Sequence, residues 1–405
     1  MSRITSRILM LALGASAAGF AAEPASDIWQ AVTEGTTKVD AKYRFEYVDQ
    51  DGFDKDAVAS NIDLTLSYQT MSYEDFSGLI EFELVAPVGN GDLFNSTSNG
   101  ITNRPVVADP DDVYLNRLFL EYAPEALAEY SFTGKLGRQW LNFDNQRHVG
   151  TVGWRLNDQV YDALTVSAKP VEEASVTAAY VTKVHRVNGT RTDYEFAGLF
   201  NASYEFAGYG KASVYAYMLD IEDSLADIAT YGARFAGAYA IDDTTKVLYE
   251  VEFAQQGDFA DATADYSATY MHLLAGVKYD AYSASIGYEV AGSDDGTRGF
   301  AFPLGTNHKF GGWVDKFLAT PADGLIDLYI KLTADISAVP GMKAALFYHM
   351  FEGDDSGNDF GDEIDAVLTW KYSDKVSFGA KLGMYSADTF ATDTTKAWLW
   401  TQVSF

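Results

Sequence analysis

The sequence predicts an all-β fold, a transmembrane antiparallel up-and-down β-barrel of about 18 strands with short periplasmic turns and longer acidic extracellular loops. Three observations predict it. From Thr37 onward apolar and polar residues alternate with a period of two, the mark of strands with two unlike faces. Short and long connections alternate in step with those strands, as in bacterial outer-membrane barrels. The chain is 47% hydrophobic with a mean hydropathy of −0.12, yet after its first residues it has no apolar run of the roughly 20 residues a spanning helix needs.

The elements follow in order. Arg3 and Arg7, the apolar stretch Ile8 to Gly19 and the small-x-small site Gly19-Phe20-Ala21 make residues 1–21 a predicted secretory signal peptide. Its removal leaves 27 basic against 58 acidic residues, a net charge of −31. Such acidity argues against nucleic acid as a partner. Residues 22–35 form a short periplasmic segment, in which "SDIWQAVTEG" reads as a capped helix ended by Gly35. Residues 36–405 form the barrel.

Its strands are expected near 37–48, 57–70, 75–86, 112–122, 130–141, 152–168, 174–186, 193–206, 209–220, 228–240, 244–256, 264–279, 282–291, 324–336, 342–352, 361–372, 375–387 and 395–405. "KVDAKYRFEY" is the clearest. Val39, Ala41, Tyr43, Phe45 and Tyr47 share one face, while Asp40, Lys42, Arg44 and Glu46 share the other. A soluble sandwich seldom tolerates such a charged face, but a water-filled lumen does. Aromatic residues near strand ends fit the girdles of a membrane barrel. On the closing strand Phe405 is the last outward residue, a terminal aromatic that resembles the signal read by the outer-membrane insertion machinery.

Connections such as "AG" 207–208, "DA" 280–281 and "SD" 373–374 are short, while "DQDGFDKD" 49–56 and "EGDDSGND" 352–359 are longer and acidic. Two outer connections, 87–111 and 292–323, far exceed the rest. Loops of that length are functional or disordered. Phe300, Phe302, Phe310, Trp313 and Phe317 mark the second as a loop that packs on or inside the barrel mouth.

The chemistry of an enzyme is missing. Without cysteine there is no disulfide, zinc-thiolate site or thiol nucleophile. The five histidines stand singly, with no H-x-x-x-H pair and no G-x-S-x-G elbow. Pairs such as Glu81/Glu83, Glu250/Glu252 and Glu363/Asp365 read as solvated lumen charges balanced by neighbouring Lys and Arg. "DQDGFD" lacks the closing Glu of a calcium loop. Neither metal nor cofactor is expected. On the face assignments, Lys42, Arg44, Arg117 and Arg234 point into the lumen with many carboxylates, so the interior is mixed in sign.

The segment "GRQWLNFDNQRHVGTVGWRLNDQVYDALTV", 137–166, resembles the signature of the alginate-export family of outer-membrane porins, through Gly137-Arg138-Gln139, Asp144, Gln146-Arg147, Gly153-Trp154-Arg155 and Tyr161-Asp162. The stretch 304–329 resembles another segment of that family, through His308, Lys309, Trp313, Asp315 and Lys316. The resemblance implies an 18-stranded barrel whose Arg and Lys attract uronate-like anions. It makes Arg138, Arg147, Arg155, Lys309 and Lys316 candidates for an anion-contacting constriction. An equal alternative is a wall-bracing salt-bridge network of Arg138, Asp144, Arg147, Arg155 and Asp162. The resulting expectation is a monomeric channel for passive diffusion of small hydrophilic solutes, anionic or carbohydrate-like, embedded among outer-membrane lipid and lipopolysaccharide. The alternatives are an export pore for an anionic polysaccharide and a non-conducting structural or adhesive barrel.

Overall fold

Alternating faces can only be satisfied in a bilayer if every backbone group finds a partner within the sheet. The computed structural model, which describes residues 24–224 and 226–405, meets that condition with a closed 18-stranded antiparallel sheet. The predicted leader, 1–21, lies outside the described residues.

The first nine strands are β1 (Thr36–Gln50), β2 (Ala57–Gln69), β3 (Phe76–Pro87), β4 (Asp112–Tyr122), β5 (Thr133–Gln139), β6 (Val160–Ala168), β7 (Ala174–His185), β8 (Arg191–Phe206) and β9 (Gly210–Ile221). The second nine are β10 (Ile228–Ala240), β11 (Thr245–Asp258), β12 (Ser267–Tyr279), β13 (Tyr282–Ala291), β14 (Leu325–Asp335), β15 (Met342–Glu352), β16 (Asp359–Lys371), β17 (Val376–Ala387) and β18 (Thr394–Ser404). Each pairs with its sequence neighbours. β18 pairs back onto β1, from Asp40↔Ser404 to Gln50↔Thr394, so no edge is left open. Phe405 extends this seam, its N–H donating to the Val39 carbonyl at 2.9 Å.

The outward series is apolar and uncovered, as in Leu64, Leu66, Leu118, Leu120, Leu136 and Ile286. Ring pairs such as Phe76 with Tyr122 at 4.7 Å and Tyr209 with Tyr239 at 5.6 Å lie near the short turns, where an interfacial girdle belongs. The N-terminal helix forms as expected. α1 (Ile28–Thr33) is capped by Asp27, whose carboxylate accepts from the Gln30 N–H at 2.8 Å.

Three expectations need correction. The fifth and sixth strands are shorter than the alternation suggested, because 140–159 is a loop and 125–130 is a 3-10 turn. The pattern of Val152, Trp154 and Leu156 looks strand-like, but Val152 takes φ +55° and its carbonyl receives the Arg155 N–H at 3.1 Å. That local turn replaces a ladder. The long outer connections therefore number three, 88–111, 140–159 and 292–324. Finally, the lumen is not simply water-filled: Arg44 and Glu46 are each 1% exposed, because the loops fold inward and cover them.

Candidate functional site

The three loops knit together before they touch the wall. Gly150 N–H donates to the Leu304 carbonyl at 2.9 Å and Thr306 N–H to the Gln146 carbonyl at 2.9 Å, a short parallel bridge between loops 140–159 and 292–324. Glycine is required at 150, where a Cβ would lie 2.2 Å from Thr306 Oγ1. Gln159 and the Tyr161 hydroxyl then donate to the carbonyls of Gly150 and Leu304. Aromatic rings fill the space beneath, including Tyr270, Phe300 and Phe302.

Charged pairs fasten this assembly to the wall. Arg44 on β1 donates to Asp109 of loop 88–111 and, at 2.5 Å, to the Trp154 carbonyl. Arg155 donates to Glu46 of β1 at 3.0 Å and to Asp315 at 3.1 Å. Asp315 also receives Lys396 of β18 at 2.8 Å and the Nδ1 side of His308. His308 lies flat on Trp154, 4.9 Å away, and its Nε2 receives Lys381 at 2.6 Å. Burial pushes His308 down to about 3, so the ring is neutral near pH 7, with Nδ1–H donating and Nε2 accepting. Against the cost of burial, the His308 N–H, Lys396 and Arg155 hold Asp315 well below the usual carboxylate range.

Elsewhere the predicted single network resolves into separate pairs. Arg138 and Asp162 are the only two of its five members that bind each other, at 2.7 Å across β5 and β6. Arg147 instead reaches Glu289 at 2.6 Å and lies 3.6 Å over Phe302. Asp144 takes Lys211 at 2.8 Å, with Ser213 and Asn201 donating as well; these donors hold it below its ordinary value although burial opposes them. Arg117 grips Glu81 through two bonds of 2.7 and 2.6 Å beneath Trp140, and Arg234 holds Glu250. The network fails as one unit because Asp144, Arg147 and Arg155 reach different parts of the circumference.

Two features were hidden in the sequence. Glu363 and Asp365, expected to pair with bases, instead accept the backbone N–H of Val314 at 2.7 Å and Trp313 at 3.0 Å. Asp109 was missed because nothing in a loop acid signals an arginine 65 residues away. Four lysines behave differently from these arginines and from the paired Lys211 and Lys396. Lys42 donates to the Arg155 carbonyl at 3.3 Å, and Lys309 to the Asn145 carbonyl at 2.8 Å. Lys316 and Lys331 lie 5.8 and 5.2 Å from aromatic ring centres. None of these four has a carboxylate within salt-bridge range among the described residues. Lys309 is solvent-exposed inside the barrel.

The barrel resembles solved structures from Pseudomonas aeruginosa. OpdL gives a TM-score of 0.70 at 12% identity, over 92% of this chain and 99% of that one. OpdG gives 0.73 at 11%, over 93% and 99%, and the outer membrane protein OprD 0.68 at 14%, over 91% and 94%. At these identities the likeness is one of fold. No curated protein matches the sequence. Residues 35–294 match the Alginate export family, a span that contains the 137–166 motif but ends before His308 to Lys316. The chain is an outer-membrane β-barrel of the Alginate export family.

Proposed function

We propose that the protein is a channel for passive diffusion of small hydrophilic solutes, anionic or carbohydrate-like, through a constriction set by its three inward loops. The observation that carries this reading is the division among the lumen cations. Arg44, Arg117, Arg138, Arg147, Arg155 and Arg234 are tied to carboxylates, whereas among the described residues Lys42, Lys309, Lys316 and Lys331 are not. A lysine without a carboxylate in a wet lumen offers its charge to whatever anion passes. Of the residues first expected to contact anions, Arg138, Arg147 and Arg155 thus brace the wall, as do Arg44, Arg117 and Arg234. Lys309 and Lys316 keep the contacting role, joined by Lys331. Loops pinned at so many points suit a fixed, narrow passage for small solutes better than one for a long polymer.

Reversal potentials of the refolded protein in planar bilayers under a salt gradient test this. Anion preference that falls in K309Q/K331Q, with block by short oligouronates in the parent, is the expected result. Cation preference without block ends the anionic reading and leaves a general pore. No conductance at all makes the inward loops a plug.

A further inference from the structure

Helix α1 carries an apolar face that neither the barrel nor the channel uses. Ile28, Trp29 and Val32 are 66%, 74% and 51% exposed, and their i, i+1, i+4 spacing puts them on one side of the helix. The opposite side is polar and tied down. Gln30 bonds Ser26 and Glu34, and Ala31 is buried with its carbonyl accepting the Met71 N–H at 3.0 Å.

Two ties fix the position of the helix. On β2 the outward series runs Ile62, Leu64, Leu66, Tyr68. The Tyr68 hydroxyl donates to the Val32 carbonyl at 2.6 Å and accepts from the Gly35 N–H at 2.8 Å. The last turn of α1 is therefore clamped to a side chain on the lipid side of the wall. A second tie holds the start, where Ala25 N–H donates to the Ser72 carbonyl at 2.8 Å. The next outward aromatics at this end, Phe76 and Tyr122, form the 4.7 Å ring pair of the girdle. Trp29 is thus exposed at the same end of the barrel as this outward ring pair.

We infer that α1 lies in the interface of the periplasmic leaflet, with Ile28, Trp29 and Val32 among the lipid headgroups and upper acyl chains, and serves as a small anchor beside the barrel. Tryptophan suits that place because its body is apolar and its N–H can stay wet. The short helix could not hold a protein in a membrane alone. Attached to a barrel, it needs only to fix the N-terminal segment against the leaflet and oppose vertical slip.

Tryptophan quenching in lipid vesicles tests the assignment. The parent and W29F are refolded into phosphatidylcholine vesicles whose chains are brominated either near the headgroup or deep in the core. The Trp29 signal is the difference between the two proteins, and folding of W29F is checked by its heat-dependent gel mobility. The inference expects that difference signal to be quenched by the shallow bromines and little affected by aqueous iodide. Quenching by iodide with none from bromolipid would put the face in water and overturn it. Shielding from both would mean that protein covers the face, either this chain's own N-terminal residues or a second copy, and would overturn it equally.

Discussion

Two regions of the lumen carry the same sign of charge and use it in opposite ways. Where the loops meet β1, β17 and β18, Arg44, Arg155 and Lys396 are enclosed with Glu46, Asp109 and Asp315, each within reach of an opposite charge. Near β14, Lys309 and Lys331 stand without a carboxylate partner among the described residues, and Lys309 is exposed. The arginine's planar fork can satisfy two acceptors on different elements at once, and that makes it a fastener. A lysine's compact, strongly hydrated ammonium is better suited to exchanging partners. The comparison teaches that the number of basic residues in a lumen says little about selectivity until the paired ones have been set aside.

Breaking the enclosed region should have the largest effect. Arg155→Ala strips a partner from Glu46, Asp109 and Asp315 together and leaves buried carboxylates short of compensation. Removing one member of a buried ionic set costs about 3–5 kcal/mol. Urea unfolding in detergent should show that loss, and single-channel records should show larger, noisier currents as loops 140–159 and 292–324 loosen. By contrast Lys331→Gln, which breaks no ion pair, should change stability by less than about 0.5 kcal/mol and lower anion preference. Equal destabilisation by the two changes would erase the distinction between the regions.

A glycine pair sharpens it from the other side. Gly312 has φ +80°, and a Cβ there would sit 2.3 Å from the Glu363 carboxylate. Gly357 has a similar φ of +66° but nothing closer than 3.5 Å. Both substitutions to alanine incur backbone strain of about 1 kcal/mol, but only Gly312→Ala also pushes loop 292–324 off the wall, adding about 1–3 kcal/mol of overpacking. Limited proteolysis of that loop should speed up in G312A and not in G357A.

The wall of the barrel was legible in the sequence, and the floor of the constriction was not. Period-two alternation gave all eighteen strands because each had to put lipid on one side and charge on the other. The same rule misled at 152–159, where Trp154 and Leu156 are apolar because they pack inside the lumen, against His308 and the loops, and not against lipid. Alternation records which faces are apolar but not what covers them. The 137–166 motif grouped Arg138, Asp144, Arg147, Arg155 and Asp162 as one network, of which only Arg138 and Asp162 bind each other, as a register pair on adjacent strands. It could not supply Glu289 for Arg147 or Asp109 for Arg44. Those partners lie 142 and 65 positions away, and only closure of the barrel brings them near.

The smallest expected effect concerns Asp158, at the inner end of loop 140–159. It accepts one bond, from Asn116 at 3.3 Å. Burial, aided by the Glu81 charge and opposed by that bond and by Lys42 and Arg117, pushes its carboxyl up to about 6. Glu83 and Asp63 add two more carboxylates to this side of the lumen. Below pH 6 Asp158 is neutral and above it is negative, so a rise from pH 5 to pH 7.5 adds one negative charge near Lys42. Anion preference should therefore be greater at the lower pH. In Asp158→Asn the site is neutral throughout, and the pH step in reversal potential should shrink while preference at pH 7.5 moves toward the parent's value at pH 5. A step that survives unchanged in D158N would show that the loop contributes shape to the constriction but not its charge.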